Sequence, residues 1–145
     1  CAKTCLDLDV NKGINIFEDG KETRDFVYIN DVVNATIAGM EVPEANDHVF
    51  NVGTGIATDV LTVAQTLCKH YGIEVPLTVS GNYRLGDIRH NYADITLAKQ
   101  ILGFNPKWTF DGGIKQFTDW VNRQELQTDN YEASLEEMKQ KGLFK

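Results

Sequence analysis

The chain carries only four arginines, and three of them, Arg24, Arg84 and Arg89, fall in two short segments, 19–33 and 83–94. A guanidinium is a planar fork whose N–H groups match phosphate oxygens two at a time, so arginines on separate loops suit one polyanionic ligand. The plainer alternative for Arg24 is a solvated charge, or a partner for the adjacent Asp25. The formal net charge of −7 argues against nucleic acid or an anionic membrane as partner, since both require a positive footprint. A small phosphorylated ligand is still compatible, because clustered arginines override the global sign within a Debye length of about 8 Å.

No self-contained catalytic or metal pattern stands beside these arginines. The histidines His48, His70 and His90 lack ligand spacing. His48 reads as a strand-edge residue and His70 as a cation favoured at a helix C-terminus. Cys1, Cys5 and Cys68 form neither a disulfide framework nor a metal set, which makes a reducing, cytoplasmic compartment the simplest expectation. Cys1 and Cys5 share a helical face, but two thiols alone are a poor zinc site. Gly53-Thr54-Gly55 follows an apolar stretch and imitates a dinucleotide-binding turn. It lacks the third glycine and an acidic residue about twenty positions on, so a tight strand-to-helix turn is the expected reading.

The elements that must position the arginines follow from periodicity. Ile14–Ile29 reads as two strands around an Asp19-Gly20 turn, a strong hairpin signal. Asn30 or Asp31 is expected to cap a helix that buries Val32, Val33, Ala35, Thr36, Ile37 and Met40. His48–Val52 reads as a strand. Thr58 or Asp59 caps a helix running to Gly72, with Val60, Leu61, Val63, Ala64, Leu67, Cys68 and Tyr71 at helical spacing. Val75–Val79 is a strand, and 88–92 an extended piece. Asp94 caps a helix stopped by Gly103. Asp111 opens another, with Ile114, Phe117, Trp120 and Val121 inward. The charged stretch 132–141 is a small amphipathic helix. At 145 residues one mixed α/β (α+β) unit is expected, with a core that needs no disulfides.

Three strings then stand in order: Arg24-Asp25-Phe26-Val27-Tyr28, His48-Val49-Phe50-Asn51-Val52-Gly53-Thr54-Gly55, and Tyr83-Arg84-Leu85-Gly86-Asp87-Ile88-Arg89 followed by Tyr92-Ala93-Asp94 and Leu102-Gly103-Phe104-Asn105-Pro106. Together they resemble the extended short-chain dehydrogenase/reductases that act on nucleotide sugars, over about residues 14–121. The resemblance implies that Arg24 and Arg84 reach the diphosphate of the nucleotide sugar and that Asp87 accepts the ribose hydroxyls. Phe26 stands where some members carry a tyrosine near the ligand, so a hydroxyl contact is absent there. Arg89 and His90 are expected to be structural or peripheral. Residues 1–123 would be the carboxy-terminal, substrate-binding part, with 124–145 a charged helical tail. The strand at 48–52 and its turn would belong to the large sheet of the parent's cofactor half.

Such enzymes oxidise the sugar with bound NAD and need a Tyr-x-x-x-Lys pair. Four residues after Tyr28, Tyr71, Tyr83, Tyr92 and Tyr131 stand Val32, Val75, Asp87, Thr96 and Leu135, none of them lysine. The chain begins at Cys1 without a methionine, and segment 1–10 reads as the end of a helix, as expected of a piece cut from a longer chain. The expected parent is an NAD-dependent UDP-sugar 4-epimerase, with a 4,6-dehydratase or decarboxylase as alternatives. This chain would bind no NAD of its own and catalyse nothing. A non-catalytic nucleotide-sugar-binding module is the second reading and an assembly domain the third. A homo-oligomer, swapped forms included, is the expected assembly, through an edge left open at 48–52.

Overall fold

The computed structural model describes residues 13–124 and 131–145. The helix end read at 1–10 and the Cys1/Cys5 pair lie outside them. Among the described residues, five short strands and five helices are arranged as β1 (Ile14–Ile16), β2 (Thr23–Arg24), α1 (Ile29–Glu41), β3 (Thr58–Asp59), α2 (Val60–Tyr71), β4 (Leu77–Val79), β5 (His90–Asn91), α3 (Thr96–Leu102), α4 (Phe110–Val121) and α5 (Tyr131–Gln140). A 3₁₀ turn, Pro43–Ala45, follows α1. The mixed α/β class expected from the sequence is observed.

The expected hairpin is absent, because the strands flanking the Asp19-Gly20 turn join different sheets. β1 pairs in parallel with β4, Ile14 opposite Leu77 and Ile16 opposite Val79. β2 lies between β3, antiparallel, and β5, parallel. Its register sets Thr23 opposite Asp59 and His90, and Arg24 opposite Thr58 and Asn91. The turn reverses the chain, as the Gly20 N–H to Phe17 carbonyl bond shows. What each strand pairs with is decided by segments far away in sequence.

Helix ends follow local chemistry in most places. Asp59 caps α2 by accepting the Thr62 N–H at 2.6 Å, and Gly72 ends that helix in the left-handed conformation. The cap of α4 is Thr109, which accepts the Gly112 N–H, with Asp111 inside the first turn. Asp94 accepts the Thr96 N–H at 2.9 Å, although the cap position itself is Ile95. Asp31 is a larger departure. α1 starts at Ile29, and the buried Asp31 carboxylate reaches across to the Lys107 and Trp108 N–H groups at 3.0 and 3.1 Å. It ties α1 to the lead-in of α4 rather than capping its own helix.

One core cluster joins Ala35 of α1, Ala98 of α3 and Phe104, with Phe50, Val52 and Leu102 against it. α2 packs on α4 and β1, around buried Ile16, Ala64, Leu67 and Val121. Two expected inward faces are corrected. Val33, Thr36, Ile37 and Met40 of α1 are exposed, as are Phe117 and Trp120 of α4, which stack on each other at 6.0 Å. Spacing marks a face as apolar, but it does not supply a layer to cover it. For the same reason 48–52 forms no strand and joins no ladder, and Val49 is 89% exposed. His48 is therefore no strand-edge residue.

Candidate functional site

The β3-β2-β5 sheet is what brings the two arginine segments together. Arg24 ends β2, and β5 begins one residue after Arg89, so the parallel β2–β5 pairing sets the loop 84–89 beside Arg24. The Arg24 guanidinium is fixed from three sides. Its Nη1 donates to the Thr23 and Arg89 carbonyls at 2.8 and 3.2 Å, and its Nη2 donates to Asp87 Oδ1 at 2.8 Å. Arg84 Nη2 lies 3.9 Å from the other carboxylate oxygen, Asp87 Oδ2. Both guanidiniums thus meet at one carboxylate, and all three side chains remain partly open to solvent.

Local chemistry shapes this loop. Residues 84–87 form a turn closed by the Asp87 N–H to Arg84 carbonyl contact, with Gly86 at its third position and φ of +82°. That is the type II pattern, which a side chain at this position resists. A Cβ at Gly86 would meet nothing within 4 Å, so conformation rather than space requires the glycine. The Arg84 guanidinium also lies 5.7 Å from the centre of the Phe17 ring, within cation–π range.

Phe26 stands apart from this trio. Its ring packs on Phe110 at 5.2 Å and lines an open apolar cavity of about 720 Å³ with Leu67, Ile114, Phe117 and Trp120. A more polar cleft of about 460 Å³ lies directly beside Arg24, edged by Asp25, Asn51, Asn91 and Tyr92. Arg89 is a framework residue. Its guanidinium holds Asp19 at 2.6 Å, Glu18 at 3.1 Å and Glu22 at 3.5 Å. The Arg89 bond lowers the Asp19 carboxyl to about 2, and Asp19 in turn raises the arginine. His90 Nδ1 shares a 2.9 Å hydrogen bond with the Thr23 hydroxyl. His70 is in the last turn of α2, 3.2 Å from Asp111, which also binds Lys69.

The sequence reading missed Asp25. Its carboxylate accepts the Thr54 hydroxyl, the Thr54 and Gly55 N–H groups at 2.8 and 2.9 Å, and the Ala93 N–H at 3.2 Å. Burial pushes this carboxyl up, but the four donors outweigh it and hold the pKa below the ordinary value. A Cβ on Gly53 would lie 2.5 Å from Asp25 Oδ2 and 2.7 Å from Ala93 Cβ, so only glycine lets the loop close on the acid. The signal was available in Gly53-Thr54-Gly55. Successive backbone N–H groups in such a turn form an anion-binding nest, and the anion here is internal. The one turn that imitates a dinucleotide site has its donors engaged by Asp25, so it does not fit the phosphates of NAD.

The fold and these strings define a class. Residues 8–117 match the family model for GDP-mannose 4,6 dehydratase, and the chain belongs to that family, the nucleotide-sugar epimerases and dehydratases of the extended short-chain dehydrogenase/reductase type. Among its relatives is a dTDP-L-rhamnose 4-epimerase of Burkholderia thailandensis, 40% identical over 120 residues, which cover 82% of this chain and 32% of that protein. The crystal structure of UDP-glucose 4-epimerase from Thermotoga maritima with UDP-glucose superimposes with a TM-score of 0.70 at 34% identity, covering 77% of this chain and 35% of that one. UDP-glucuronic acid 4-epimerase from Bacillus cereus, in complex with UDP-glucuronic acid and NAD, gives a TM-score of 0.73 at 27% identity over 84% and 38% of the two chains. The chain thus spans about a third of the length of the relatives it matches. Among the described residues, no helix is long and apolar enough to cross a membrane.

Proposed function

We propose that this chain forms the nucleotide-sugar-binding part of an NAD-dependent UDP-sugar 4-epimerase, with residues 1–123 as the binding part and 124–145 as its tail. The observation that carries the reading is the meeting of Arg24 and Arg84 at the Asp87 carboxylate. A carboxylate that two guanidiniums approach marks the point where their donors would converge on a diphosphate. On binding, the diphosphate replaces it, and Asp87 is released to accept the vicinal hydroxyls of the ribose. The 4-epimerase assignment is supported by the 40% identical relative and by the two solved 4-epimerases.

NAD supplies hydride transfer in such a parent. The residues of this chain bind and orient instead. Affinity for the remote nucleotide fixes the sugar in place and lets binding energy serve the reacting centre. Isothermal titration of the folded chain with UDP tests the reading. Weak but measurable binding is expected, since such clefts commonly form where two units meet. Arg24→Ala and Arg84→Ala should each weaken it about 10- to 150-fold, the worth of a charge-assisted bond at about 1.5–3 kcal/mol. Absence of UDP heat in a folded sample, or unchanged binding in either variant, refutes the assignment.

A further inference from the structure

The last three residues of the chain are built into the Arg84 loop. Leu143–Lys145 runs antiparallel to Tyr83–Leu85, with Arg84 opposite Phe144. Three backbone bonds make the contact: the Tyr83 N–H to the Lys145 carbonyl at 2.7 Å, the Lys145 N–H to the Tyr83 carbonyl at 3.0 Å, and the Leu85 N–H to the Leu143 carbonyl at 2.9 Å. Phe144 adds an edge-to-face contact with Phe17 at 5.3 Å, the same ring that the Arg84 guanidinium approaches.

The tail is delivered to this position by the end of α5. Gly142 adopts φ of +67°, its N–H binds the Lys139 carbonyl, and the Leu143 N–H binds the Met138 carbonyl. That paired 5→2 and 6→1 arrangement is a Schellman turn, which reverses the chain sharply after the helix. All of it lies beyond the stretch 8–117 that matches the family. Arg24 has a different anchorage: its guanidinium is held by the Thr23 and Arg89 carbonyls and its backbone by β3 and β5. Arg84 has neither. Among the described residues its backbone lies opposite Phe144 and accepts the Asp87 N–H of its own turn, and its guanidinium meets the Phe17 face and a 3.9 Å approach to Asp87.

We infer that the C-terminal tripeptide Leu143–Lys145 is a positioning element for Arg84, holding that guanidinium where it can reach the diphosphate. This rests on the binding reading given above. Flexible loops lose affinity because a ligand must order them, so a strand clamped from outside pre-organises the arginine. Phe144 and Arg84 are thereby coupled through backbone pairing and through the shared Phe17 ring.

A double-mutant cycle on the 145-residue chain tests the inference, with UDP as the probe in isothermal titration. Truncation after Lys141 should weaken UDP binding, speed exchange of the Tyr83 and Leu85 amide hydrogens, and leave the thermal transition cooperative. In the Arg84→Ala background the same truncation should have almost no further effect on UDP, whereas in Arg24→Ala its loss should persist. Coupling of about twofold or more to Arg84 is the supporting result. Equal losses in the wild type and in Arg84→Ala overturn it, as does truncation without effect. Should truncation abolish the thermal transition, Phe144→Ala carries the same cycle, with a smaller loss expected. If Arg84→Ala itself leaves UDP binding unchanged, the binding reading fails first. If Arg84→Ala weakens UDP and the tail variants do not, only the tail's role fails.

Discussion

Replacing Asp87 by asparagine separates two tasks assigned to one carboxylate. Asp87 pairs with Arg24 at 2.8 Å and stands 3.9 Å from Arg84, so on the proposed reading it competes with a diphosphate for both guanidiniums. The pair is partly exposed, at 33% and 40% for the two side chains, which puts its worth near that of a surface ion pair, about 0.2–1 kcal/mol. Asp87→Asn should therefore tighten inorganic pyrophosphate about 1.4- to 5-fold, because the internal competitor is gone. UDP responds in the opposite sense. It gains the same relief but loses charge-assisted acceptance of its ribose hydroxyls, worth about 1.5–3 kcal/mol. The balance is a weakening of about 2- to 100-fold. Isothermal titration of both ligands at one fixed, low ionic strength measures the two numbers, since screening alters each. Opposite signs support the assignment. Parallel weakening would make Asp87 merely a support of the loop, and parallel tightening would remove it from the ribose; either outcome refutes the reasoning.

Three further outcomes bear on the scaffold. Asp25→Asn should destabilise the chain by about 1–3 kcal/mol near neutrality, because an amide nitrogen then faces the N–H donors of Gly55 and Ala93. The folded-state pKa of Asp25 is depressed, so its contribution is complete above the unfolded value of about 3.9 and is lost as pH falls through the folded value; the difference from wild type in urea melts should shrink below about pH 4. Gly53→Ala should cost about 1–3 kcal/mol through overpacking against Asp25 and Ala93, read as a lower urea midpoint at unchanged slope, and an unchanged midpoint would contradict the close approach. Burial raises the Glu22 carboxyl, with Glu18 adding to the effect, so Glu22 favours the fold below its unfolded pKa and loses that contribution as pH rises through its folded value. Glu22→Gln should accordingly stabilise the chain at pH 7 relative to wild type, with the gap closing near pH 4, as thermal melts at the two pH values would report.

The parts of the fold that were legible in the sequence are those set by neighbouring residues. Asp59, Gly72 and Gly103 mark helix ends because capping and left-handed termination are local acts. The parts set by distant partners were not. The Asp19-Gly20 turn announces a reversal, yet β1 and β2 go to separate sheets because β4 and β5 compete for them. Asp31 looks like a cap and instead binds the Lys107 and Trp108 backbone, a contact that no window of local sequence contains. The convergence of Arg24, Arg84 and Asp87 was expected only through the family resemblance, since periodicity does not say that β2 and β5 are neighbours.

Asp25 explains why the arginine site needs the glycine turn at all. Its carboxylate gathers Thr54 and Gly55 on one side and Ala93 on the other, so it fixes the segment just after β5 relative to the end of β2. The β2–β5 pairing covers only Thr23 and Arg24, two residues, and so short a ladder is a weak determinant of register by itself. Slipping it by one residue would turn every side chain on that strand to the opposite face, and the Arg24 guanidinium would leave Asp87. Four donors on one half-buried acid adjoining that ladder make such a slip expensive. The turn at 53–55 therefore helps lock the register, and the placement of Arg24 beside Asp87 depends on a carboxylate outside that ion pair.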